Sequence, residues 1–331
     1  FYSPDDNDFL IIPEVSYNFT DNLQAILGAN VFGGINDNTA LGQHNKNDNV
    51  YVTDTYNHRV LKFNSSGNFF TKWGTMGSGN GQFSYPGGID ADSTNNVYVV
   101  DRNNGRIQKF TSSGDYLSKW GQPGTEGVPC GWFWYPQGIA LDSSSNVYVA
   151  DTQNYRIQKF TSSGTCLGMW GSEGSGNSEF AFPMGVAVDS NVYVADASNS
   201  RIQKFTSSGT YLSQWGSYGS GDGQFTSPKG VAVDNQGNVF VADTGNNRIQ
   251  KFTSSGTFLA KWGSGGTGSG QLTEPKALAF DSRDYIYIAE GARIQKFSYL
   301  WTVQLNQVDE TVGAKTSRTK YFYDSYGNGI K

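Results

Sequence analysis

Short runs in which apolar and polar side chains alternate recur along most of the chain, separated by clusters of turn-forming residues. In NVYVAD (146–151), Val147 and Val149 alternate with Tyr148 and Ala150, the period-two spacing of a β-strand. Three other strand-type runs accompany it in each unit: PQGIALD (136–142) before it, RIQKF after it, and then a run such as YLSQWG that ends in Trp. The joints, such as DNQGN and TSSG, supply the Asn, Asp, Ser and Gly that tight turns require. No segment carries the 3.6-residue apolar spacing of an amphipathic helix, which excludes a helical repeat.

The unit repeats. Its Arg falls at 59, 106, 156, 201, 248 and 293, in steps of 47, 50, 45, 47 and 45. The interval from Arg to Trp is 14 residues in the five copies that have the Trp: Trp73, Trp120, Trp170, Trp215 and Trp262. Four antiparallel strands in about 45 residues make one propeller blade. Six copies therefore predict an all-β fold, a six-bladed β-propeller of four-stranded antiparallel blades, over residues 49–298.

Residues 1–48 and 299–331 flank the repeats. The first copy lacks an evident inner strand and the last lacks the TSSG turn and Trp strand, so segments 26–47 and 299–306 are expected to close the ring. Residues 9–34 read as a hairpin turning near Asp21 and Asn22, similar to hairpins of outer-membrane β-barrels. The tail YFYDSYGNGIK resembles the YD/RHS-type repeats of large secreted bacterial proteins.

The pattern P-x-G-[IV]-A-[VL]-D, followed by N-V-[YF]-V-A-D-x-x-N-x-R-I-Q-K-F, resembles the NHL repeat. That resemblance implies a six-bladed propeller. It also brings two activities for comparison: a lyase that cleaves peptidyl-hydroxyglycine with a histidine-held zinc, and RNA binding. The chain has two histidines, His44 and His58, too few for such a zinc site.

Composition narrows the picture. Of 331 residues 42 are Gly, 15% are aromatic and 16% charged, which suits strands and turns rather than helices. A formal charge of -5 argues against a phosphate backbone as partner, so no nucleic acid is expected. No run of about 20 apolar residues predicts a membrane-spanning helix. The opening FYSP, without Met or an apolar leader, is what a trimmed mature product would show. Cys130 and Cys166 read as small buried hydrophobes in preference to disulfide halves, since Cys166 stands where other copies have Phe or Tyr.

Several residues look chemical. Asp54/Arg59, Asp101/Arg106, Asp151/Arg156, Asp196/Arg201 and Asp243/Arg248 recur as D-x-x-N-x-R, and repetition marks them as turn-pinning pairs rather than a catalytic site. Asp90 replaces an innermost-strand Ala, and could ligate Ca2+ in the central channel; otherwise no cofactor is expected. The long joint GQPGTEGVPCGWFWYPQG is the one place where the repeat becomes individual. Its Trp132, Trp134 and Tyr135, with Tyr155 of the same blade, form a candidate aromatic ligand site. Gln137, Met184, Lys229 and Lys276 follow the strand-one prolines and should ring the channel mouth on the same face.

The function these features favour is a secreted or cell-surface, non-catalytic binding or assembly scaffold. Its partner would be a protein, a glycan or further copies of itself in a homo-oligomer or filament. A propeller lyase or hydrolase with a divalent cation in the channel is the alternative, and RNA binding a second one. The near-identical TSSG turns suggest glycan acceptors, polymer contacts or recent duplication. The sequons at Asn18 and Asn64 are compatible with an exterior location.

Overall fold

The computed structural model describes residues 11–18, 40–41, 49–125, 129–291, 293–299, 306–312, 315–323 and 329–330. Six four-stranded antiparallel sheets form the blades of a propeller, and no α-helix occurs among the described residues. Blade three runs from its inner strand Ile139–Leu141 through Val147–Asp151 and Arg156–Phe160 to its outer strand Cys166–Trp170. Blades two, four and five repeat that order, with inner strands Pro86–Ala91, Pro183–Val188 and Pro228–Val233.

The second strand of each blade is buried on both faces, and this welds the ring together. In blade two, Val97 and Val99 pack with Tyr51 and Val60 of blade one. Tyr98 and Val100, pointing the other way, pack with Ile139 and Val147 of blade three. A comparable cluster fills every junction, including the one between blades six and one, where Val52 and Leu61 meet Ala279 and Tyr287. Fully burying each such side chain contributes about 1.5–3 kcal/mol, so neighbouring blades stabilise one another.

Both ends of the ring are completed by the N-terminal flank. Ala40–Leu41 is the inner strand of blade one and lies against the inner strands of blades two and six. Ile11–Asn18 is the outer strand of blade six, antiparallel to Arg293–Tyr299. The fourth strand of blade six thus comes from the start of the chain rather than from the 299–306 segment. Closure by the distant end covers an edge that would otherwise present unpaired backbone groups. The proposed turn at Asp21 and Asn22 lies outside the described residues. Strands Asn306–Val312, Lys315–Tyr323 and Gly329–Ile330 form a separate three-stranded sheet.

The D-x-x-N-x-R pairs form, and they do more than pin their own turns. Arg106 Nε donates to Asp101 at 2.7 Å, while its two terminal nitrogens donate to the carbonyls of Ser78, Gly79 and Gln82 in the preceding joint. Asp101 also accepts the Ser84 N–H of that joint. Arg201 and Arg248 clamp their joints in the same way. Blade six has a shorter turn, and the longer Glu290 side chain restores the pair, with Arg293 Nε 2.7 Å from its carboxylate and the Thr273 N–H donating to it as well.

Candidate functional site

The inner strands of blades two to five approach the axis closely because each opens on P-x-G, while blade six has Pro275-Lys276-Ala277. A Cβ on Gly138 would lie 2.3 Å from the Met184 carbonyl oxygen, and one on Gly185 2.3 Å from that of Lys229. Glycine alone permits this approach. The residues after the prolines then converge: Gly87, Gln137, Met184, Lys229 and Lys276 line one cavity of about 320 Å³, joined by Thr55 and Arg102. The four residues expected at the channel mouth are therefore brought together.

Among the described residues the lining holds three cations and no carboxylate. Burial lowers the Lys229 pKa, nearby Lys276 lowers it further, and Glu274 partly offsets both. Lys276 lies 3.8 Å from Glu274, which is itself largely exposed at the rim. Burial likewise lowers the Arg102 pKa. The Arg102 guanidinium stacks on the Tyr135 ring at 5.4 Å, and its buried Nε has no hydrogen-bond partner.

Arg102 is a departure from the repeat. Blades one, three and five have Thr at this place, where blade four has Ala197 and blade six Gly291, and Thr55, Thr152 and Thr244 each donate to the carbonyl of the next blade's first proline, at 2.7–2.8 Å. Blade two forgoes that bond and sends a guanidinium into the channel mouth instead.

Around the mouth, the residue before each inner-strand proline is left-handed: Tyr85, Tyr135, Phe182, Ser227 and Glu274 have φ of 46–55°. Large side chains are unfavourable in that conformation, yet three successive joints use aromatics. Tyr85 packs edge-on against His58 and Tyr56, and its N–H donates to His58 Nδ1 at 3.1 Å. Phe182 packs edge-on against Tyr155 at 5.5 Å. Aromatic side chains thus stand over blades one to four, with lysines at blades five and six and Arg102 among the aromatics at blade two.

The candidate aromatic quartet is dispersed. Tyr155 stands at the joint of blades three and four with Phe182, one joint on from the two tryptophans. Trp132 is half-buried over Gly124, and its carbonyl accepts from Arg156 and Gln158. Trp134 is half-buried too, with its N–H on Asp151 at 2.7 Å. Tyr135 is the exposed member. Asp90 is buried, and its carboxylate accepts the N–H groups of Ala91 and Leu141, tying the inner strands of blades two and three. Among the described residues no group of three or more His, Cys, Asp or Glu is placed to hold a metal ion.

The cysteine expectation is corrected. Cys130 and Cys166 form a disulfide with Cα atoms 6.2 Å apart, and Cys166 is exposed. The long joint folds back over its own blade, which brings Cys130 beside the outer strand. That both cysteines lie in the one irregular joint and its blade was the available signal.

Residues 225–252 match the NHL repeat family, and residues 43–163 match a family described as a 6-bladed beta-propeller. The chain is a six-bladed propeller with an NHL repeat matched at residues 225–252. No curated protein matches the sequence. Among solved structures, the propeller is similar to a streptogramin B lyase, with 19% identity, TM-score 0.56 and 78% of each chain covered. It is also similar to a gluconolactonase from Xanthomonas campestris, with 13% identity, TM-score 0.61, and 88% of this chain and 97% of that one covered. A catalytically inactive virginiamycin B lyase from Staphylococcus aureus is a third, at 14% identity, TM-score 0.58, with 88% and 99% covered. At these identities the likeness is one of fold.

Proposed function

We propose that this propeller is an extracellular, non-catalytic binding scaffold that engages a protein or glycan through the face bearing the channel mouth. The observation that carries this reading is the convergence of individual residues on that face. Tyr85, Tyr135 and Phe182 occupy strained left-handed positions there, beside a cavity lined from all six blades. Rigid aromatic surface of this kind suits stacking on sugars or gripping peptides. The Cys130–Cys166 disulfide supports an oxidising location, where such bonds persist. Among the described residues no helix is long and apolar enough to cross a membrane.

The test is a glycan and peptide array probed with the intact chain and its variants. Tyr135→Ala and Phe182→Ala are expected to lose the captured ligand, while Leu212→Ser on the outer strand keeps it. Equal capture by all variants would remove the reading. The alternative, a propeller lyase or hydrolase as in the structurally similar enzymes, predicts turnover that a chelator abolishes.

A further inference from the structure

We propose that the channel mouth binds a small anionic ligand, its carboxylate or phosphate oxygens held by Lys229, Lys276 and Arg102. The inference rests on reading this face as the ligand face and names the chemistry it recognises. Three observations point to it independently of each other.

Cations gather where a chain of net charge -5 gives no general reason for them. Blades two and five lie across the axis from one another, so Arg102 and Lys229 enter the cavity from opposite sides, with Lys276 beside Lys229. Glu274 approaches Lys276 but stays at the exposed rim, so that among the described residues no carboxylate lines the cavity itself.

Arg102 is positioned rather than loose. Its guanidinium rests on Tyr135, which orients the fork, and its buried Nε lacks an acceptor. A guanidinium held this way matches the paired oxygens of a carboxylate or phosphate. It also displaces the threonine–proline bond that blades one, three and five keep.

Finally, Lys229 and Lys276 occupy a variable position of the repeat, where packing between blades imposes no choice. The equivalent sites hold Gly87, Gln137 and Met184, with Met184 offering apolar surface to the rest of the ligand.

The experiment is isothermal titration of the intact chain with glucose, glucuronate and glucose 6-phosphate, which share a ring and differ in charge. Both anions are expected to bind about tenfold or more tighter than glucose, and to lose about tenfold in Lys229→Met and in Lys276→Met. Their affinity should fall with added salt. Anion binding unchanged in both lysine variants, or no binding of either anion, overturns the assignment. If glucose binds as well as the anions, and Tyr135→Ala or Phe182→Ala weakens all three, the face is a ligand face and only the anionic class is wrong. If bound sugars ignore every one of these substitutions, both readings fail.

Discussion

Lys204 of blade four donates its ammonium to the carbonyl of Ser254 in the next blade's turn, at 2.8 Å. Lys62, Lys159 and Lys296 do the same to Ser112, Ser207 and Ser65. Within the turn, Thr253 exchanges a hydrogen bond with Ser255 and caps the Thr257 N–H. Gly256, at φ +88°, lies under the Trp215 ring of the preceding blade. Thr253, Ser255 and Gly256 are thus each held by the turn itself or by the neighbouring blade, which accounts for their constancy, whereas Ser254 contributes its carbonyl and its side chain has no structural explanation. In blade one Asn64 takes the place of Thr, accepting from the Ser66 and Asn68 N–H groups.

A sharp contrast follows within one turn. Gly256→Ala places a Cβ 2.7 Å from Trp215 in a left-handed conformation. It should cost about 2 kcal/mol, whereas Ser254→Ala, which keeps the carbonyl, should stay within about 0.5 kcal/mol of wild type. Urea unfolding of both variants checks this; equal effects would contradict it.

The disulfide closes a 36-residue separation. The chain-entropy model assigns such a loop about 4 kcal/mol. The Cys130→Ser/Cys166→Ser double variant, and wild type under reductant, should therefore melt several degrees lower and by the same amount. Calorimetry with and without reductant measures it, and an unchanged Tm for either would contradict the pairing.

Lys251 gives a pH signature. Burial lowers its pKa to about 8 from the ordinary 10.5, against the opposing pull of Asp234 and Asp284. In blades two to four the matching lysine sits over a tyrosine ring; here the ring is Phe240. Between pH 8 and 10.5 the folded chain binds fewer protons at Lys251 than the unfolded chain, so this group's contribution to stability rises with pH. Its penalty is fully present below pH 8. Lys251→Met should therefore stabilise the protein at pH 7 and narrow its advantage by pH 9.5, read from denaturant midpoints at both pH values. A constant advantage would contradict the shift.

How much of this was legible in the sequence depends on whether the repeat determined it. The strand order, the Asp–Arg pairs and the convergence of Gln137, Met184, Lys229 and Lys276 follow from period and alternation, because identical blades must pack identically. Strand closure by Ile11–Asn18 was hidden, since a single-copy strand 275 residues from its partner carries no repeat signal. The disulfide was obscured by treating Cys166 as one more member of an aromatic series. Arg102 stood in plain view where Thr55, Thr152 and Thr244 are its counterparts; only the threonine–proline bonds give that substitution its meaning.

Removing residues 1–18 should expose the edge of Arg293–Tyr299. The truncated chain is expected to melt lower and to associate at high concentration, as seen by sedimentation. A monomer of undiminished Tm would show that blade six does not need this strand.

The account turns on blade two having exchanged a structural bond for a recognition group. Thermal unfolding of Arg102→Thr beside wild type, with and without glucuronate, measures both sides of that exchange at once. The prediction is a higher Tm for Arg102→Thr without ligand, since a threonine can bond to the Pro136 carbonyl, and a smaller stabilisation by glucuronate. A lower Tm with undiminished stabilisation by glucuronate would contradict it.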